Sequence, residues 1–122
     1  FNQLPASIDT EIAGKRLNVV HAHPPDACHG GIKLRNRDGS VQADRVADWA
    51  EQLQSFEPDV LVVGHTHQVF AEQVGNTLVV NPGSAAFNYS CAILRLPSMT
   101  VETFALSGQA IKTTWNWSDH FR

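Results

Sequence analysis

Val60-Leu61-Val62-Val63 is an unbroken apolar run between Pro58 and Gly64, and it constrains the fold more than any other stretch. Successive side chains of a strand point to opposite faces, so an apolar run without alternation needs cover on both sides. Strands of that kind belong to α/β sheets packed by other layers. Gly64-His65-Thr66-His67 follows at once. Two imidazoles just past the end of a buried strand stand where open α/β sheets gather their ligand-binding groups.

The flanking sequence supplies the partners such a strand needs. Residues 8–22 read as a β-hairpin: Ile8-Asp9-Thr10-Glu11-Ile12 alternates, Ala13-Gly14 turns, and the return strand ends in Leu17-Asn18-Val19-Val20 before His21. Residues 24–40 are a loop, with Pro24-Pro25 forbidding helix at its start. Residues 41–56 carry the clearest helical period, in Val46, Trp49, Ala50, Leu53 and Phe56, with Ser40 as N-cap and Pro58 as terminator. A second hairpin, 68–74 with 77–80, turns at Gly75-Asn76, and Asn81-Pro82-Gly83-Ser84 ends it. Residues 89–96 and 100–106 form a third strand pair turning at Pro97-Ser98, and 111–122 is an extra strand or an ordered arm. The expected fold class is α/β, strand-rich with one main helix, and a sheet of this size under a single helix leaves one face uncovered.

Bulk properties narrow the function. The 122 residues suffice for one domain, and a 43 % hydrophobic content with six Phe and three Trp can build a core. Nine basic residues are scattered in a chain of net charge −3, which argues against a nucleic-acid or anionic-membrane partner. Cys28 and Cys91 make no CxxC spacing, and no apolar run is long enough for a membrane span or a signal peptide. A cytoplasmic protein with reduced thiols is the expectation.

Five of the six histidines fall in two groups, His21, His23 and His29, then His65 and His67. Neutral imidazole is a common ligand of zinc, manganese, iron and nickel. Two histidines separated by one residue are often surface or capping groups. The preceding strand, the glycine, and His21 at a second strand end together favour ligation. Gly64, with no side chain, would let the backbone turn sharply and an ion approach. Cys28-His29 beside Asp26 reads either as further ligands or as a solvent-facing loop.

Val62-Val63-Gly64-His65-Thr66-His67, followed by Val80-Asn81-Pro82-Gly83-Ser84, resembles the calcineurin-like metallophosphoesterases, in their small bacterial and archaeal phosphodiesterase branch. Leu4-Pro5 and Gly14-Lys15-Arg16-Leu17 leading to His21 agree, so the resemblance covers roughly residues 4–96. It implies a four-layer α/β/β/α sandwich with two divalent metal ions, Mn or Zn, Fe or Ni, at the strand ends. It further implies His21 and His65 on one ion, His67 on the other, and His23 as a catalytic group near the substrate phosphate. Asn81 and Ser84 would shape the substrate-binding loop, or be a plain turn. The reaction implied is hydrolysis of a phosphate-ester substrate, a phosphodiester or phosphomonoester, by metal-activated water.

The family's Asp-x-His, Gly-Asp-x-x-Asp and Gly-Asn motifs do not occur here; Asp119-His120 lacks the intervening residue, and Gly75-Asn76 is a hairpin turn. The chain also begins at Phe1. The expectation is that 1–122 is the C-terminal portion of a single domain whose N-terminal half is absent. Such a piece would be inactive and poorly stable alone. It would complete itself by association with the missing half or as a homo-oligomer. The competing expectation is a non-catalytic scaffold or protein-binding module on the same fold.

Overall fold

The structure is a computed structural model describing residues 5–24 and 30–114. The expectations placed on Leu4, Asp26, Cys28, His29, Trp115, Trp117, Asp119 and His120 lie outside the described residues. The elements are β1 (Ser7–Ile12), β2 (Lys15–Val20), α1 (Ala43–Leu53), β3 (Val60–Val62), β4 (Phe70–Val74), β5 (Thr77–Asn81), β6 (Ser90–Arg95) and β7 (Thr100–Ala105). This is the mixed α/β, strand-rich arrangement expected, with one helix among the described residues.

Five strands form one sheet in the order β1-β2-β3-β5-β4, and β6-β7 form a separate hairpin. β2, β3 and β5 run parallel, while β1 and β4 pair antiparallel at the edges. The apolar run therefore occupies the central strand. Both hairpins turn as their sequences require. Ala13 and Gly14 both have positive φ (52° and 77°), as a two-residue turn twisting with its strands demands, and Gly75 takes φ 60° in the other.

One face of the sheet is closed. Val20, Leu61, Val63, Phe70, Val74 and Val79 pack with Leu53, Ile32 and Leu34, and with Val46, Trp49 and Ala50 of α1. The helical residues picked out by period are those that reach the core, except Phe56, which follows the helix end. Ser40 is not the N-cap. Its hydroxyl donates to Asp38 Oδ1 at 2.6 Å in a local turn, Val41 bridges to Arg35, and Gln42 holds the N-cap position. A short polar side chain between Gly39 and Val41 found a nearer partner than the helix amides. At the other end the helix stops at Leu53 with Gln54 as C-cap, earlier than the expected stop at Pro58, and a turn through Phe56 leads to a left-handed Glu57 (φ 51°).

The opposite face grades from closed to open. Register places Ile8, Val19, Val62 and Val80 in one row across four strands. Val80 is 3 % exposed and Ile8 47 %, and Ile12 is open to the same degree. A groove of about 330 Å3 runs along Ile8, Val19 and Val62 to His21. Among the described residues, the less covered part of this face is on the β1 side.

The two faces predict different sensitivities. Leu61→Ala should cost about 2–5 kcal/mol in urea denaturation, as for other fully enclosed core leucines. Ile8→Thr should stay within about 0.5 kcal/mol. A loss at Ile8 comparable with that at Leu61 would show that the open face is packed in solution.

Candidate functional site

Because β2, β3 and β5 are parallel neighbours, their C-terminal ends share one edge of the sheet. His21 follows β2, Gly64-His65-Thr66-His67 follows β3, and Asn81 closes β5. Gly64 N–H donates to the carbonyl of His21 (2.9 Å) and Val63 N–H to that of Val80, extending the ladder on both sides of β3.

The histidine loop alternates. His65 is exposed and His67 half-buried, while Thr66 and Gln68 between and after them are buried. Thr66 Oγ1 donates to Ile32 O (3.1 Å). Gln68 Oε1 accepts from the N–H groups of Leu34 and Arg35, and its Nε2 donates to Arg35 O. Asn81, 1 % exposed, donates from Nδ2 to Gly64 O and to Thr66 Oγ1 (both 3.2 Å) and accepts from Gly83 N–H. Two inward side chains and one amide thus hold the backbone from which the imidazoles project.

The sharp turn is carried by the histidines themselves. His65 (φ 63°) and His67 (φ 54°) are both left-handed, a conformation costing a non-glycine residue of order 1 kcal/mol and held only where the surroundings over-determine it. Gly64 has no such φ, and a Cβ there would meet His21 at an ordinary 3.6–3.7 Å. The need for glycine read into position 64 belongs instead to Gly31. At φ 105°, a Cβ on Gly31 would lie 2.7 Å from Thr66 Cγ2 and 3.2 Å from His65 Cδ2.

His21 and His65 are brought together. Nε2 of His21 and Nδ1 of His65 lie 3.1 Å apart, with the rings edge-on and their centroids 5.0 Å apart. Two nitrogens bound at ordinary zinc–imidazole lengths sit about 2.9 Å apart at a right angle and about 3.3 Å at a tetrahedral one. The pair therefore matches one edge of a single ion's coordination shell. Among the described residues, no group of three or more histidine, cysteine or carboxylate side chains is gathered closely enough to hold an ion. The donor chemistry fits a metal, and the set is partial.

The His67 ring is stacked on Phe87 (centroids 5.0 Å, 25°). Desolvation, and then the charges of His65 and His21, hold its pKa below the ordinary histidine value. His23 is directed elsewhere: its ring packs on Trp49 of α1, and its Nδ1 meets Pro24 O at 3.0 Å. Ser84 Oγ accepts from the N–H groups of Ala86 and Phe87, and its own N–H donates to Asn88 Oδ1. Asn81 and Ser84 thus shape the chain's own loops. Thr66, Gln68, Gly31 and Asn88 were missed by sequence reasoning; the one available signal was the polar, non-repeating character of Thr66 and Gln68 between the histidines.

Residues 1–99 match the family model of the calcineurin-like phosphoesterase superfamily domain. The chain belongs to that superfamily. No curated protein matches. Among solved structures, a hypothetical protein of Pyrococcus horikoshii aligns with TM-score 0.67 at 15 % identity over 90 % of this chain and 42 % of its own. An archaeal phosphodiesterase gives 0.53 at 21 % identity, over 83 % of this chain and 51 % of its own. Vps29 of Entamoeba histolytica, in a zinc complex, gives 0.55 at 21 %, over 90 % and 59 %. These likenesses concern the fold, and the chain spans roughly half the length of each of these structures. Among the described residues no helix is long and apolar enough to cross a membrane.

A depressed His67 pKa has a fixed sign. The folded chain resists protonation there, so stability is lost as pH falls below about 6.5 toward the lowered value, and is constant above it. An NMR titration of the metal-free chain should place the His67 ring midpoint below 6.5. A midpoint at or above that value would contradict the desolvation.

Proposed function

We propose that this chain is the C-terminal part of a metal-dependent phosphoesterase that hydrolyses a phosphodiester or phosphomonoester. The observation carrying this reading is the 3.1 Å approach of His21 Nε2 to His65 Nδ1 at the ends of adjacent parallel strands, in a chain of this superfamily. In this reading His21 and His65 hold one divalent ion and His67 belongs to a second. The ions, manganese or zinc, iron or nickel, would lower the pKa of bound water toward ~7 and polarise the phosphoryl oxygen.

The chain's own residues then have assigned tasks. The imidazoles of His21, His65 and His67 serve as ligands, Asn81 and Ser84 shape the loops beside them, and His23 would serve near the substrate phosphate only on turning away from Trp49. Carboxylate ligands come from the rest of the domain, which packs on the face bearing Ile8, Val19 and Val62. The 122 residues alone are then inactive, and the complete protein is cytoplasmic. Association with the absent half is the favoured route to a complete site, a homo-oligomer the other.

A second reading, a non-catalytic binding module, is favoured by one observation. The open apolar row through Ile8 offers a ready surface for a protein partner.

The complete protein should hydrolyse bis-p-nitrophenyl phosphate with manganese, and His65→Ala should abolish the activity while the protein stays folded. Undiminished turnover in that variant would refute the ligand role of His65. A complete protein without stoichiometric metal would favour the binding module.

A further inference from the structure

Asn88 is fully buried, and all of its polar groups are engaged. Its Nδ2 donates to His67 O (2.8 Å) and to Lys112 O (2.7 Å), and its Oδ1 accepts from Ser84 N–H (2.8 Å). Its backbone N–H donates to Ser84 O, and its carbonyl accepts from Lys112 N–H (3.0 Å). One side chain thus joins three segments that secondary structure leaves unconnected: the histidine loop, the turn after β5, and the irregular arm through 112–114. The arm is fastened beside it, with Val69 N–H donating to Thr113 O.

The bond to His67 falls where the backbone is strained. A left-handed non-glycine residue persists only when its neighbours fix it. For His67, neighbours on both sides come from one loop: Asn88 binds the carbonyl and Phe87 stacks on the ring. Close packing keeps that loop in place, since a Cβ at Gly83 would lie 2.5 Å from Ser90 Oγ and 3.0 Å from Asn88 Cβ. An asparagine is required chemically. Its amide gives two protons to two carbonyls and one oxygen to an amide, a pattern neither aspartate nor leucine can reproduce.

We propose that Asn88 is a positioning residue for metal binding: it holds His67 in its left-handed conformation and makes that conformation depend on the arm at Lys112. The metal part of this inference rests on the reading of His67 as a ligand; the conformational part does not. Outer groups that orient a metal-binding histidine are typically worth about 10- to 100-fold in metal affinity.

The test uses the complete protein, which supplies the remaining ligands, with cobalt(II) as probe. Asn88→Asp keeps the acceptor for Ser84 but turns a carboxylate oxygen toward the carbonyls of His67 and Lys112. The expected result is that His67 leaves positive φ, read from its NMR couplings and carbon shifts, while α1 and β6-β7 resonances stay in place. Cobalt affinity should then fall about 10- to 100-fold. Retention of positive φ at His67, with affinity within about twofold, would overturn the proposal. His67→Ala separates the two readings: unchanged cobalt affinity there refutes His67 as a ligand, and the metal role of Asn88 with it. If Asn88→Asp does not fold, the wild-type chain decides. Slow exchange of the Asn88 side-chain amide protons, with measurable coupling to the His67 carbonyl, supports the proposal, and rapid exchange overturns it.

Discussion

Leu17, Val60 and Leu78 stand side by side in parallel register across β2, β3 and β5, and the site depends on that alignment. Parallel strands in register end together, and strands in a sheet lie only about 4.8 Å apart. Whatever follows β2 and β3 is therefore delivered within ligand distance before any side chain makes a choice. His21 and His65 meet because their strands stop at the same edge. A slip of one residue in β3 would turn Leu61 out of the core and carry His65 away from His21. The burial that fixes the register thus also fixes the chemistry.

What strands cannot supply is the reversal after β3, where the chain must place two imidazoles while leaving the sheet. The protein meets that need with backbone strain at His65 and His67, and offsets it with buried amides. Asn81 works from the β5 side and Asn88 from beneath. Both are asparagines because each must give two protons, to a carbonyl and the Thr66 hydroxyl in one case and to two carbonyls in the other, and accept one from an amide with a single short side chain. Hydrogen bonds of this kind contribute only about 1 kcal/mol each, which is the scale of the strain they oppose.

Much of this was legible in the sequence, for definable reasons. The hairpins at Ala13-Gly14 and Gly75-Asn76, the buried run 60–63 and the helical face of Val46, Trp49, Ala50 and Leu53 are local patterns, and local physics decides them. The two histidine positions at strand ends followed from the same patterns. The rest is tertiary. Ser40 had the right chemistry for a cap and the wrong neighbours. Gly64 stood where a glycine seemed needed, yet the crowding falls on Gly31, more than thirty residues earlier. Asn88 looks like any polar loop residue until Lys112 and His67 are seen to converge on it. No local pattern reports an amide that acts by joining distant carbonyls.

The anchoring of residues 32–35 has a consequence for how such a protein can diversify. Thr66 and Gln68 hold that loop only through main-chain atoms: the carbonyls of Ile32 and Arg35, and the amides of Leu34 and Arg35. No side chain of the loop takes part in these bonds. The exposed Lys33 can thus be exchanged without disturbing the histidines, provided the path of the backbone is kept. The fold separates the part of the rim that must stay constant from the part free to acquire new recognition, and the boundary runs between main chain and side chain of the same few residues.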